Sequence, residues 1–125
     1  MIITEQNYVE KAQKVMEKEE NGRKKVNITT SKIRNLLAMT ADIYNEVLNH
    51  PGDKLTEEII GKINYLKIHF VYEAGRESAV KTLVEQAKIL EIIDEIQGSK
   101  KNYVLFSKYM EALVAYHRYY GGHEY

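Results

Sequence analysis

An all-α, single-domain bundle of about five helices is the fold the sequence predicts, and three observations predict it. Apolar residues recur every three or four positions in each long segment. Thr4, Thr29, Thr56 and Ser99 stand where hydroxyl side chains can cap helix starts, and Gly22, Gly98 and Gly121 stand where helices can stop. No stretch alternates with period two over a convincing length, and no internal repeat of about twenty residues or more is visible. The 125 residues are read as one domain with no cysteine, in which residues 21–28 form a flexible basic connector. Roughly 25 to 30 apolar side chains at helical spacing, each worth about 1.5–3 kcal/mol on full burial, offset much of the chain entropy.

Thr4 opens a first helix expected to run to about Glu20, with Tyr8, Val9, Ala12, Val15 and Met16 as a narrow apolar stripe. The connector follows, and its run Arg23-Lys24-Lys25 fits either a solvated loop or a segment touching RNA. Thr29-Thr30-Ser31 caps a second helix marked by Ile33, Leu36, Leu37, Thr40, Ile43, Tyr44, Val47 and Leu48. Its first turn carries Lys32 and Arg34, the wrong sign for the helix dipole. Those cations are either ordinary surface charges or, together with exposed amides, an anion site.

His50-Pro51-Gly52-Asp53 ends that helix with the only proline in the chain. Thr56, Glu57 and Glu58 then start a central helix in which Ile59, Ile63, Leu66 and Phe70 form one stripe. Ile60, Tyr65, Ile68, Val71 and Tyr72 spread over the rest of its circumference, which predicts burial by neighbours on several sides. Lys62, His69, Glu73 and Arg76 line up as a polar stripe, a first candidate for outside contact. At Gly75 the helix either stops, leaving a hinge that would permit arm exchange between two copies, or runs on through residues 78–96. The latter carry Val80, Leu83, Val84, Ala87, Leu90 and Ile93 at helical spacing, widened by Ile89, Ile92 and Ile96. On this stretch Glu77 and Lys81 read as an i, i+4 ion pair. A last helix from Lys100 to about Tyr120 has two buried-looking faces and an outward strip of Lys101, Lys108, Glu111, Ala115 and Arg118. Its tyrosines read as core residues with rim hydroxyls rather than base-stacking partners.

Eighteen basic residues balance eighteen acidic ones, so net charge argues for no partner. Distribution says more. Residues 22–41 contain no acid but five cations, Arg23, Lys24, Lys25, Lys32 and Arg34, and residues 97–110 contain no acid but Lys100, Lys101 and Lys108. No apolar run approaches the ~20 residues of a membrane span and no charged-then-apolar leader is seen, so a soluble cytoplasmic protein is expected. Histidines 50, 69, 117 and 123 include no pair at three or four, and no Glu-x-x-His occurs, so no metal, cofactor or catalytic residue is expected.

Three stretches then carry a family resemblance: Thr29-Thr30-Ser31-Lys32-Ile33-Arg34-Asn35-Leu36-Leu37, the Phe70-Val71-Tyr72-Glu73-Ala74-Gly75-Arg76-Glu77 core of residues 65–89, and Tyr109-Met110-Glu111-Ala112-Leu113-Val114-Ala115-Tyr116 leading to Tyr119-Tyr120-Gly121-Gly122. In order and spacing, over residues 7–122, they resemble the small helical subunit of the type III-A CRISPR-Cas effector, the Csm complex. Residues 17–27 and the turn at Pro51 match least. The resemblance implies a non-catalytic RNA-binding subunit stacked in a few copies along guide RNA and target RNA. There it would be flanked by the repeated backbone subunit and the large polymerase-like subunit, would self-associate in the filament, and would help monitor guide-target pairing in antiviral defence. It also implies that Lys32, Arg34, Lys67, Arg76, Lys81 and Arg118 contact RNA backbone without reading bases. His69 stands where the family more usually has a different polar residue. Two other classes stay open on the residues alone: a helical homodimeric adaptor with no nucleic-acid role, and a small helical enzyme using clustered acids and His117.

Overall fold

The computed structural model describes residues 1–23 and 25–122, so Lys24 of the basic run and His123 lie outside the described residues. Six helices follow one another: α1 (Tyr8–Met16), α2 (Thr30–Asn49), α3 (Glu57–Arg76), α4 (Ser78–Ala87), α5 (Ile89–Asp94) and α6 (Lys100–Tyr119). The all-helical expectation holds, with one helix more than expected.

Local chemistry sets most of the starts. The Thr29 hydroxyl accepts from the Lys32 amide, Thr56 from Ile59 and Ser99 from Asn102, each at 3.2 Å. At Thr4 the hydroxyl likewise accepts from the amide three residues on, that of Asn7, at 3.2 Å, while the Thr4 amide donates to Asn7 Oδ1 at 2.7 Å, and this reciprocal pair closes the turn that leads into α1 at Tyr8. At the other end α1 stops at Met16 instead of reaching Glu20, because Glu17 turns extended at ψ 153. Residues 17–21 offer no apolar side chain to bury, and a short helix without tertiary packing is not stable. Val26 and Ile28 bring the connector back to the core, where both are buried.

The core lies between α6 and the two helices flanking it, α1 and α2. The Tyr103 hydroxyl donates to the Thr40 carbonyl at 2.6 Å and Lys100 Nζ donates to the His50 carbonyl at 2.8 Å. Near the other end of α6, the Ile28 carbonyl accepts from His117 Nε2 at 2.6 Å, so α2 and α6 run antiparallel. Phe70, Phe106 and Tyr103 pack edge to face at the centre, with ring centroids 6.5 and 6.1 Å apart. Burial holds the Tyr103 and Tyr109 hydroxyls protonated far above the usual phenol range. Tyr103→Phe should lower stability by about 1 kcal/mol, the worth of one buried neutral hydrogen bond, read as a lower urea midpoint at constant slope.

Three expectations for the middle of the chain are corrected. α3 is not enclosed: Ile59, Ile63, Leu66 and Phe70 are buried, but Tyr65, Ile68, Val71 and Tyr72 are 62, 60, 50 and 62% exposed. Apolar character on the outer side of a helix does not reveal whether the chain itself covers it. The helix runs through Gly75, which has open space around it, and breaks at Glu77, whose φ of −134 and ψ of 127 let α4 fold back. Residues 78–96 in turn divide at Lys88, held in the left-handed region at φ 56. There the Tyr109 hydroxyl takes the last α4 carbonyl, that of Ala87, at 3.0 Å.

A return of the chain at Gly98 fixes the start of α6. Leu55 donates to the Gly98 carbonyl at 2.9 Å and Lys100 to the Asp53 carbonyl at 2.7 Å. Asp53 also accepts from the Lys101 amide at 2.8 Å and the Ser99 hydroxyl at 2.9 Å, so a residue from the preceding loop helps cap α6. These hydrogen bonds, the Lys101 amide first, hold its carboxyl below the usual range. A depressed folded value means that the contribution is complete above the unfolded value near 3.9 and is lost as pH falls through the folded one. Asp53→Asn should therefore lower the thermal midpoint at neutral pH, with the gap from the parent closing below about pH 4 in circular dichroism melts.

Gly121, at φ 85, and Gly122 close α6, as expected from the sequence, with Gly122 donating to the His117 carbonyl at 2.8 Å. A Cβ at Gly122 would overlap the His117 ring, so only glycine fits there.

Candidate nucleic-acid interface

Antiparallel packing brings the start of α2, the ends of α3 and α6 and the start of α4 to one end of the bundle. The tie between His117 and Ile28 sets α6 beside α2, and ion pairs from Lys32 to Glu73 and Glu77 set α2 beside the α3–α4 break, each at 3.5 Å. Five of the six cations expected at RNA, Lys32, Arg34, Arg76, Lys81 and Arg118, lie on the helix segments that meet there. Lys67 does not join them. It sits midway along α3, with Nζ 2.6 Å from Asp94 Oδ1.

The five differ in how much of their charge is already used. Lys32 is partly buried between two carboxylates, and Arg76 Nη1 reaches Glu73 Oε1 at 3.1 Å while its guanidinium lies over the Tyr72 ring. Together Lys32, Arg76, Glu73 and Glu77 form a group with no net charge. Glu77 thus pairs with Lys32, whereas the sequence suggested Lys81. Arg34, Lys81 and Arg118 are exposed and make no ion pair among the described residues. Exposed pairs are worth only about 0–1 kcal/mol, so the paired cations remain available to a polyanion, but the unpaired ones need surrender nothing.

Arg34 and Arg118 line the same cavity of about 270 Å³, with Thr30, Val114, Ala115 and His117. Thr30 is 5% exposed and its hydroxyl oxygen finds no hydrogen-bond partner among the described residues. That oxygen is enclosed, so an anion in the cavity meets the two arginines and the helix start and not the hydroxyl. The cavity also lies at the N-terminus of a helix of 20 residues with no acid in its first turn, where partial positive charge gathers. Two guanidiniums and a helix start suit a phosphate group and recognise no base. His117 serves the framework, buried and donating from Nε2.

The sequence singled out Arg34 and Arg118 but could not show that they share a cavity. A helix-capping cluster followed by cations within one turn was the only available signal.

A groove of about 560 Å³ runs between α2 and α3, walled by Met39, Ile43, Tyr65 and Leu66 and edged by Asp42 and Glu58. His69 stands against Tyr65, ring centroids 4.6 Å apart. Lys62 bonds Glu46 at 2.8 Å, and that contact raises its affinity for the proton. The polar stripe of α3 is therefore largely occupied within the chain. Among the described residues no three His, Asp or Glu side chains gather into a metal-binding group, and no helix is long and apolar enough to cross a membrane.

Known proteins place this geometry in context. The family model described as Csm2 Type III-A matches residues 6–123. A Streptococcus thermophilus protein named CRISPR system Cms protein Csm2 is 42% identical, covering 97% of this chain and 97% of its own. Proteins of the same name from Mycobacterium tuberculosis (strain ATCC 25618 / H37Rv) and Enterococcus italicus are 37 and 38% identical. They cover 95 and 87% of this chain and 95 and 86% of their own.

Proposed function

The chain belongs to the Csm2 type III-A family, a structural subunit of the type III-A CRISPR complex, and we propose that within it the chain lies along guide RNA and target RNA, holding their backbones at the bundle end where α2 begins and α6 ends. The observation that supports this reading is the convergence of unpaired Arg34 and Arg118 on one cavity at the start of α2, whose first turn holds no acid. The role is cytoplasmic and non-catalytic. Contact is made to phosphates, so any guide sequence is accepted, and pairing errors register only through the shape of the duplex they distort. Of the six expected contacts, Arg34, Lys81 and Arg118 bind first. Lys32 and Arg76 contribute by exchanging carboxylates for phosphate, and Lys67 contributes least because Asp94 holds it.

The exposed face of α3 has another use. Tyr65, Ile68 and Tyr72 fall at i, i+3 and i+7 and present apolar surface with little charge, a poor match to RNA and a good one to protein. We assign it to a protein neighbour of the assembly, among the repeated backbone subunit, the large polymerase-like subunit and further copies of this chain. That same face favours the competing reading, a homodimeric adaptor without an RNA role. The two readings separate in one experiment: RNA retention by the assembled complex carrying Arg34→Ala and Arg118→Ala. Reduced retention of every guide sequence alike supports backbone contact, and unchanged retention supports the adaptor.

A further inference from the structure

We propose that a second cavity, between α1, the connector and the α4–α5 junction, is a seat for a phosphate group, distinct from the cationic end of the bundle. The opening, about 240 Å³, is lined by Lys11, Lys14, Lys25 and Lys88 over a floor that includes Ala87 and the Tyr109 ring, and no acidic side chain lines it. Four of the fourteen lysines thus border one small opening. Lys14 has Glu10 at 3.2 Å on its own helix, and Lys25 has Glu17 at 3.9 Å while its Nζ donates to the Lys14 carbonyl at 3.1 Å. Lys11 and Lys88 make no ion pair among the described residues. Like charges drawn together repel, and an anion between them relieves the repulsion.

The backbone points the same way. Lys88 is held at φ 56 and ψ 39, a conformation that disfavours a side chain with a Cβ and suits glycine or asparagine. The tie from the Tyr109 hydroxyl to the Ala87 carbonyl fixes the turn just before it. That backbone closes α4, with the Lys88 amide donating to the Glu85 and Val84 carbonyls, and it leaves the lysine at the rim of the opening.

All four cations are lysines, compact ammonium charges that several at a time can bring to the oxygens of one phosphate. The volume lies just below the usual range for small-molecule pockets, enough for a phosphate with part of a sugar. Tyr109 lies about 12 Å along α6 from His117 and, at 3.6 residues per turn, on the opposite side of that helix from Arg118. The seat therefore serves a second phosphate group and does not enlarge the first site.

The test is an amide NMR titration of the full chain with pyrophosphate, with a short single-stranded oligonucleotide and with a polyglutamate peptide. Saturable shifts are expected at Lys11, Lys25, Ala87 and Lys88, with affinity for pyrophosphate reduced about tenfold in Lys11→Gln/Lys88→Asn and unchanged there in Arg34→Ala/Arg118→Ala. Asparagine tolerates the left-handed backbone, and if the pair perturbs the fold in the same spectra, Lys11→Gln alone, at an exposed position, should still weaken binding. Tighter binding of the oligonucleotide identifies a nucleic-acid strand as the source of the phosphate, and tighter binding of pyrophosphate identifies a free phosphate compound. Absence of saturation, equal affinity in the lysine variants, or polyglutamate binding as tightly as both phosphate ligands overturns the proposal. Because the arginine variant leaves this seat intact, failure here is separable from failure of the RNA reading.

Discussion

Arg34→Ala combined with Arg118→Ala should weaken RNA binding by the assembled complex by about ten- to a hundredfold at physiological salt, equally for unrelated guide sequences. Each side chain then contributes roughly 0.7–1.4 kcal/mol, just below the range for a hydrogen bond to a charged group and fitting for an exposed one. Neither residue holds the fold together, since both are exposed on helix surfaces and make no ion pair among the described residues. Helical content measured by circular dichroism should be unchanged. Lys32→Ala should cost less than Arg34→Ala, because phosphate must first displace Glu73 and Glu77 from the lysine, and the displaced carboxylates then repel the ligand. Lys67→Ala should cost less still. A graded order of Arg34 above Lys32 above Lys67 is a stronger expectation than the equal treatment that sequence position suggests, and filter binding measures it directly.

The second large effect concerns assembly. Ile68→Asp with Tyr72→Asp should leave the isolated chain folded, because both side chains are about 60% exposed, yet prevent its co-purification with the rest of the complex. A carboxylate forced into an apolar interface must be desolvated without a partner, and two such groups exceed what a standard contact can absorb. Salt resistance distinguishes this defect from the arginine one: loss of protein contacts persists at low salt, where RNA contacts strengthen. Retention of the aspartate variant in the complex would move the protein-facing surface elsewhere.

What could be read in the chain beforehand follows from how local each feature is. Thr29, Thr56 and Ser99 cap helices because a side-chain oxygen and an amide three residues on are neighbours in any sequence context, so those boundaries were legible. The outward strip of α6 was legible for the same reason, its members separated by helical periods. The break between α3 and α4 was not. Gly75 carries the local signal, but a glycine costs a helix only about 1 kcal/mol, and the turn falls where Lys32, distant in sequence, meets Glu73 and Glu77. Lys88 gives no hint of a left-handed backbone, since the carbonyl capture by Tyr109 that fixes the turn comes from another helix. The exposed face of α3 misled in a different way. A pattern of apolar residues records that a surface is covered, and leaves open whether the cover belongs to the same chain.

The candidate site divides along the same line. Lys32, Arg34 and Arg118 were visible as cations on helices, but their standing depends on pairing across helices. Lys67 looks equivalent to Arg34 in the sequence and differs only because Asp94, on another helix, lies 2.6 Å from its Nζ. Membership in the Csm2 type III-A family gives the assembly, while the partner of each charge gives the order in which contacts matter.

The most direct measurement is the salt dependence of RNA binding by the assembled complex, made with the parent chain and with Arg34→Ala/Arg118→Ala. Arg34, Lys81 and Arg118 together predict a contribution from each copy of about −2 to the slope of log affinity against log salt, at near 0.7 per phosphate on a single strand. Loss of both arginines should make that slope shallower by about 1.4 per copy. An unchanged slope with unchanged affinity would place the RNA elsewhere and contradict the account.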